Sequence, residues 1–138
     1  MPVYTLACHK PLTQHLAAKI AHSITETHCQ ITGAPAEFVS VIFMYRQRIK
    51  GHKILSLIGN VRSGGNRNLE LTDQLKTRMQ RNIARDAQLS IEDIAVTLVG
   101  FPASWAMEGG EILPEPGQET AWLARTHVNS ENNELTES

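Results

Sequence analysis

Apolar residues along the chain follow two spacings, which predict strands and helices in alternation. Val3 to Cys8 is a short apolar stretch typical of a strand. The next segment is apolar at every fourth position, at Leu16, Ile20 and Ile24. This spacing predicts a helix that Thr13 caps and that runs to about Thr32, because Gly33 and Pro35 follow.

The same order of elements then occurs a second time. Phe38 to Met44 is a nearly continuous apolar run, and Ile54 to Val61 and Ile94 to Val99 are further predicted strands. Asn68 can cap a second helix whose apolar residues are Leu71, Leu75, Met79 and Ile83. Because right-handed crossovers place both helices on one face, we predict an α+β fold. Its tandem βαβ units form a four-stranded mixed sheet with two helices on one face.

The duplicated pattern predicts a single domain over residues 1–128. Its two βαβ halves span roughly 1–50 and 51–100, and 101–128 is a C-terminal loop segment. Within this segment, the stretch from Met107 to Gly117 is too rich in turn residues for regular structure. Residues 129–138 are polar and have almost nothing to bury, so we predict a disordered tail. The bare face of the sheet needs a partner, which predicts an oligomer, most economically a closed ring.

Composition narrows the classes of partner. The net charge of −1 and the aromatic content of 5% argue against a nucleic-acid partner. The sequence has no apolar stretch of about 20 residues and no secretory signal, which predicts a cytoplasmic protein with no membrane partner. Two unpatterned cysteines suit reduced thiols, and the adjacent pairs Cys8-His9 and His28-Cys29 predict no metal site.

Met1-Pro2 is the first candidate for chemistry. Removal of Met1 would expose a secondary amine whose pKa of roughly 7.7–8.0 lies near working pH. Such an amine can act as a general acid or a general base. We therefore predict Pro2 as a catalytic residue beside the first strand.

Arginines flank a glycine-containing loop between a predicted strand and a predicted helix. Arg62 and Arg67 suit a carboxylate, since guanidinium groups bind carboxylates through paired hydrogen bonds. The alternative is an exposed turn with solvated arginines. His28 continues the apolar row of the first helix, so it either reaches the ligand or is a hydrogen-bonded core residue.

Glutamates in the C-terminal loop segment are candidates for activating water. Glu108 precedes a glycine pair, and Glu111 and Glu115 compete with it for this role. The alternative for each is an acid that simply faces solvent. The sequence pattern alone leaves this choice open.

Together these features resemble the tautomerase superfamily, and within it the cis-3-chloroacrylic acid dehalogenase branch. The resemblance rests on the Met-Pro start, the duplicated βαβ units, the run Ile24-Thr25-Glu26-Thr27-His28, the two loop arginines and the ending Leu113-Pro114-Glu115-Pro116-Gly117. It extends over the chain to about Trp122. It implies a homotrimer of tandem βαβ subunits.

The resemblance also implies roles for individual residues. Pro2 would be the acid or base, and Glu108 would activate water. His28, Arg62 and Arg67 would hold the substrate carboxylate, although the two arginines lie two residues further apart here than in the family.

One position departs from the family pattern. Thr97 stands where the dehalogenases have a tyrosine that orients water, and its hydroxyl is shorter and less acidic. Tyr4 or Tyr45 would replace that phenol only if the fold brings one of them near. The departure speaks against efficient dehalogenation.

The predicted function is that of a cofactor-independent enzyme acting on a small unsaturated or 2-oxo carboxylate. Pro2 would serve a tautomerase as a base or a hydratase as an acid, and the sequence leaves both open. The alternative is a non-catalytic oligomeric module that binds a small acid.

Overall fold

The computed structural model describes residues 2–65, 67–118 and 120–125. The main elements are β1 (Val3–Cys8), α1 (Gln14–Thr32), β2 (Ser40–Met44), β3 (Leu55–Ser63), α2 (Leu69–Ala87) and β4 (Ile94–Pro102). The predicted disordered tail at 129–138 lies outside the described residues. The domain boundaries stay a prediction.

One mixed sheet joins the two βαβ units in the order β2-β1-β3-β4. β1 is parallel to β2, β3 is parallel to β4, and the two central strands β1 and β3 are antiparallel. One core contains residues of both helices and the helix-facing side chains of the strands, including Leu6, Leu57, Ile20, Ile24 and Met79. The predicted α+β fold with both helices on one face is confirmed.

Both helices begin where the capping residues predicted. The Thr13 hydroxyl accepts from the Leu16 amide at 3.2 Å, and the Asn68 side chain accepts from the Leu71 amide at 2.8 Å. These bonds satisfy amides that a helix leaves open at its start. No helix in the described parts of the chain is long and apolar enough to cross a bilayer.

The predicted strand ends differ from the structure at four places, of which the start of β3 at Leu55 instead of Ile54 is the smallest. Phe38 was expected in a strand, but it is buried in a 3-10 turn over Ala36–Phe38, and β2 starts only at Ser40. β3 and β4 run further than expected because their pairing continues to Ser63 and Pro102. Apolarity therefore located the strands, whereas pairing decided where they end.

The absence of regular structure predicted for Met107 to Gly117 is wrong. β5 (Met107–Glu108) and β6 (Glu111–Ile112) form an antiparallel hairpin, and residues 120–125 are helical. Gly109 and Gly110 form the turn, both with positive φ. Two such glycines favour a tight hairpin, so the turn-rich composition indicated a hairpin rather than an irregular loop.

The second face of the sheet carries exposed apolar side chains. Ile42 is 48% exposed, Ile58 44% and Val99 46%. These residues alternate with positions on their strands that face the helices. The uncovered face predicted from the topology is therefore present.

Candidate active site

The first residue of the described chain lies at the end of the sheet where β3 finishes. Val3 is paired with Asn60 in the antiparallel register, so Pro2 comes level with Val61 and next to Arg62. The Pro2 carbonyl accepts a hydrogen bond from the Ser40 amide at 3.0 Å. Pro2 is buried and follows the alternation of Tyr4 on the helix-facing side of β1.

A buried pair links β1 to α1 on that same side of the sheet. Oη of Tyr4 lies 2.6 Å from Nδ1 of His28, and the two residues are 0% and 1% exposed. Nε2 of His28 is also buried and has no hydrogen-bond partner among the described residues. His28 is thus a hydrogen-bonded core residue through one nitrogen, while its other nitrogen is buried without a hydrogen-bond partner among the described residues.

The electrostatic surroundings keep this pair neutral. Burial lowers the pKa of His28 to about 3, and the positive charges of Arg67, the amino terminus and Arg62 act in the same direction. Burial raises the pKa of Tyr4 well above its usual range, and Arg67 offsets this only in part. At neutral pH the site therefore contains a neutral imidazole and a neutral phenol in a positive field.

The guanidinium group of Arg67 contacts the C-terminal end of α1, at Thr32, four residues after His28. Its Nη1 donates to the Thr32 carbonyl at 3.2 Å, and the Thr32 hydroxyl donates to the His28 carbonyl at 2.6 Å. Thr32 is the last residue of α1, where the helix dipole favours a cation. The second βαβ unit thus supplies a guanidinium to the histidine of the first.

Arg62 is buried by the C-terminal segment. Arg62 breaks the alternation of β3, since Val61 and Arg62 are both buried and Arg62 is only 3% exposed. Its Nη1 donates to the Pro114 carbonyl at 2.5 Å. A Cβ at Gly65 would lie 2.4 Å from the Pro116 carbonyl oxygen, so loop and segment are in direct contact. The alternative of a turn with solvated arginines is wrong for Arg62.

A small cavity lies beside the arginine loop. It measures about 280 Å³ and is lined by Arg62 and Arg67 together with Leu71, Leu75 and Leu98. Apolar walls with few charged groups are typical of sites for small organic ligands. Its position at the start of α2 adds the positive end of a helix dipole.

The three candidate glutamates occupy different places. Glu108 lies half-buried in β5 and is paired in register with Glu111, which is exposed. Glu115 is exposed, and its carboxylate is so close to Gly64 that a Cβ there would lie 3.1 Å from Oε2. Of the three, Glu115 is the acid that the structure places against the arginine loop.

Thr97 and the tyrosines are distributed over both faces of the sheet. Thr97 is exposed on the uncovered face, in register with Ile58, whereas His28 lies beneath the opposite face. The Tyr4 hydroxyl is bonded to His28, and the Tyr45 ring stacks against Phe43 at 6.2 Å. Within one subunit, Thr97 is therefore separated from His28 by the sheet.

Three groups that build the site were not identified from the sequence. The carbonyls of Thr32 and Pro114 hold the two arginines, and any residue type offers such a carbonyl. Gly59 is paired with Tyr4, and a Cβ there would lie 2.6 Å from Cε1 of the ring. A glycine inside a predicted strand is the one signal that could have indicated this close approach.

The thiols offer no alternative chemistry. Burial raises the pKa of Cys8 to about 11 and also raises the pKa of Cys29. Both thiols therefore stay protonated at neutral pH, whereas the reactive form of cysteine is the thiolate. In the described ranges, no three His, Cys, Asp or Glu side chains gather as a metal site.

Comparison with solved structures identifies what this arrangement is similar to. N1, a member of the cis-3-chloroacrylic acid dehalogenase family, matches with a TM-score of 0.80 and 27% identity, covering 99% of each chain. An asymmetric trimer of wild-type fused 4-OT matches with a TM-score of 0.69 and 15% identity, over 80% of this chain and 94% of that one. Pt0534 inactivated by 2-oxo-3-pentynoate matches with a TM-score of 0.67 and 17% identity, over 80% of this chain and 94% of that one.

The predicted resemblance is confirmed. The chain has the tautomerase fold, and it is similar over nearly its whole length to a member of the cis-3-chloroacrylic acid dehalogenase family. N1 is described as a member of that dehalogenase family, whereas the two less identical neighbours show the fold alone. No protein-family model and no curated protein matches the sequence.

Proposed function

We propose that this chain is a cofactor-independent enzyme that tautomerises a small 2-oxo or unsaturated carboxylate with the amine of Pro2. Removal of Met1 would free that amine. The observation that carries the proposal is the buried Nε2 of His28, which has no partner in the described chain. It lies in the field of Arg67 and Arg62 at the sheet end where β1 begins.

A carboxylate is the ligand that these groups favour. Carboxylate oxygens only accept hydrogen bonds, so they complement an N–H donor and guanidinium groups. Arg67 contacts the helix end close to His28, and Arg62 follows the residue level with Pro2. We assign carboxylate binding to His28, Arg67 and Arg62, with Pro2 as the proton carrier.

The local field favours Pro2 as a base. The positive charges of Arg67 and Arg62, which lower the pKa of His28, would lower the pKa of a neighbouring amine as well. A hydratase or dehalogenase would instead need protonated Pro2 together with Glu108. Glu108 is paired with Glu111 in a hairpin, whereas the acid beside the arginine loop is Glu115. Thr97 in place of the family tyrosine points the same way, so we favour tautomerisation over dehalogenation.

The reaction on an enol acid can be written with these residues. The neutral Pro2 amine takes the proton from the enol hydroxyl of phenylenolpyruvate, and the carbonyl forms as the double bond shifts. The ammonium then returns the proton to carbon 3, which leaves the keto acid and the neutral amine. Arg62 and Arg67 would offset the negative charge of the enolate between the two steps.

A homotrimer is part of the proposal. Ile42, Ile58 and Val99 form the exposed face of the sheet, and the fused 4-OT that shares the fold is described as a trimer. Burying this face between copies removes apolar surface from water. Sedimentation of the wild type and of Ile58→Lys tests it: we expect a trimer that the lysine dissociates, and a monomeric wild type contradicts it.

Intact-mass measurement and kinetics test the enzymatic proposal. The mass of the purified protein reports whether Met1 is absent, and phenylenolpyruvate ketonisation is then followed for the wild type, Pro2→Ala and Pro11→Ala. We expect Pro2→Ala to lose roughly 10²–10⁴-fold in kcat/KM. Pro11 is exposed beyond the other end of β1, so Pro11→Ala should match the wild type.

Titration of a ¹⁵N-labelled Pro2 nitrogen separates base from acid. A pKa below about 7.7 supports the base of a tautomerase, whereas a pKa well above about 8.0 supports the acid of a hydratase. Equal background rates from the wild type and Pro2→Ala, on phenylenolpyruvate and on 3-haloacrylates, would leave the non-catalytic binding module instead.

A further inference from the structure

The Tyr4 hydroxyl and the His28 ring share one hydrogen bond, and its direction fixes which ring nitrogen carries the proton. Oη of Tyr4 lies 2.6 Å from Nδ1 of His28. Neutral imidazole has one donor nitrogen and one acceptor nitrogen. Either Tyr4 donates to Nδ1 and Nε2 keeps the hydrogen, or Nδ1 donates to Oη and Nε2 has only a lone pair.

The number of unsatisfied polar groups distinguishes the two directions. The bond to His28 is the one hydrogen bond of the Tyr4 hydroxyl within the described ranges, and Nε2 has none there. If Nδ1 donates, the tyrosine hydrogen and the Nε2 lone pair are both buried without partners. If Tyr4 donates, only the Nε2 hydrogen is. Each unsatisfied buried group destabilises the folded state, so donation by Tyr4, which leaves one such group instead of two, is favoured.

The protonation states of the two side chains agree with this direction. Burial raises the pKa of Tyr4, so the phenol keeps its hydrogen. The pKa of His28 falls to about 3 through burial, Arg67, the amino terminus and Arg62, so the ring stays neutral. Because the phenol hydrogen has no other partner, the Tyr4 hydroxyl donates it to Nδ1 instead of accepting a hydrogen from that nitrogen.

We propose that Tyr4 is a positioning residue whose hydroxyl donates to Nδ1 of His28 and so presents Nε2–H to the carboxylate of the ligand. The carboxylate part rests on the function proposed above, whereas the position of the proton on His28 does not. With the opposite tautomer, a nitrogen lone pair would face the carboxylate oxygens and repel them. Tyr4 therefore acts on the ligand through His28 without touching it.

Nitrogen NMR of histidine-labelled protein tests the proposal directly. The ¹⁵N shifts of imidazole distinguish a protonated nitrogen from a bare one, and His28→Gln assigns the signals. In the wild type we expect a bare Nδ1 and a protonated Nε2 on His28. Tyr4→Phe should move both signals towards the average of two exchanging tautomers. Tyr45→Phe, at the tyrosine that follows β2 and stacks on Phe43, should leave them unchanged.

Ligand and rate measurements complete the test. Propionate, an unreactive short carboxylate, should shift the Nε2 signal of the wild type. Tyr4→Phe should raise KM for phenylenolpyruvate about tenfold, the loss of roughly one hydrogen bond to a charged group, with kcat changed much less. A mainly lowered kcat or an unmoved Nε2 signal with propionate overturns the role in binding.

The two proposals fail in different ways. A protonated Nδ1 in the wild type overturns the role of Tyr4, whatever the activity, and this spectrum decides the proton position even if Tyr4→Phe does not fold. Full activity in Pro2→Ala overturns the catalytic proposal and leaves a bare Nδ1 and a propionate-sensitive Nε2 as support for Tyr4. Unchanged His28 signals in Tyr4→Phe also overturn the inference.

Discussion

The two βαβ halves share one construction and differ in what they bury at a single helical position. Each helix has 19 residues and a side-chain cap at its start, from Thr13 in α1 and Asn68 in α2. His28 and Ile83 both lie 14 residues after the first residue of their helix. His28 is 1% exposed and Ile83 is 0%, so equivalent buried positions hold an imidazole in one half and an aliphatic side chain in the other.

The neighbouring strands differ in the same way. Tyr4 of the first half supplies the hydroxyl for His28, while Gly59 of the second half, its partner in register, has no side chain. Gly59 leaves the space that the Tyr4 ring fills. The polar pair is thus confined to the half that begins with Pro2, and the second half provides room, an apolar core and both arginines.

Substitutions at the two equivalent helix positions, Ile83 and His28, should have the largest effects. Ile83→Ala removes buried methyl groups and should lower the free energy of unfolding by about 2–5 kcal/mol, with kcat/KM of the folded protein unchanged. His28→Gln should change stability much less and lower kcat/KM by about 10–100-fold. Urea unfolding and phenylenolpyruvate kinetics measure both. Equal stability losses with equal activity losses would contradict the division between the halves.

Acid should expose the imidazole of the first half as a weak point. The unfolded state binds a proton at His28 near pH 6.5, whereas the folded state does so only at about 3. The contribution of neutral His28 to the free energy of unfolding is therefore fully present well above pH 6.5 and is lost as the pH drops towards 3. The loss between about pH 6.5 and 4.5 is about 2–3 kcal/mol.

The control for this pH effect is His28→Leu, which makes the first half resemble the second. Urea unfolding at both pH values should show a shallower loss of stability for His28→Leu than for the wild type, since other titrating groups are shared. Parallel losses in the two proteins would mean that His28 is not the group responsible.

Adding a methyl group between the halves should have an intermediate effect. The Cβ of Gly59→Ala would lie 2.6 Å from the Tyr4 ring, and overpacking of this kind costs about 1–3 kcal/mol. Displacing the ring should also move the His28 signals in the ¹⁵N spectrum. Gly100→Ala is the matched control, because its Cβ would meet Ser63 at an ordinary 3.5 Å. Equal stability of the two alanine variants would contradict a tight fit at Gly59.

The helix caps should reveal where the halves remain alike. Thr13→Ala and Asn68→Ala each remove an acceptor for a helix amide, and each should cost about 1 kcal/mol. Thermal or urea unfolding measures both losses. A much larger loss for either variant would show that the two helix starts are not equivalent.

Local chemistry explains which parts of the fold the sequence could predict. The caps at Thr13 and Asn68 and the four-residue apolar spacing act within one helix, so both helices were located correctly. β3 and β4 were predicted too short because their ends depend on pairing between distant residues. The hairpin of β5 and β6 was missed because a glycine pair such as Gly109-Gly110 suits an irregular loop as well as the tight turn of a hairpin.

The candidate site shows the same limit more strongly. The row of apolar residues on α1 was enough to predict that His28 points towards the sheet. Its bond to Tyr4 depends on how α1 lies over β1, and the residues are 24 positions apart. The partner of Arg62 is a backbone carbonyl 52 positions away. Backbone groups carry no residue signature, so the burial of Arg62 could not be predicted.

The contact between Gly65 and Pro116 has a consequence for how the arginine loop beside the cavity can change. The turn after β3 and the proline-rich stretch over Pro114 to Pro116 lie so close together that no side chain fits at Gly65. Lengthening either one alone would break this contact. Selection for a larger ligand would therefore have to alter both segments together, or the residues of α2 that line the cavity.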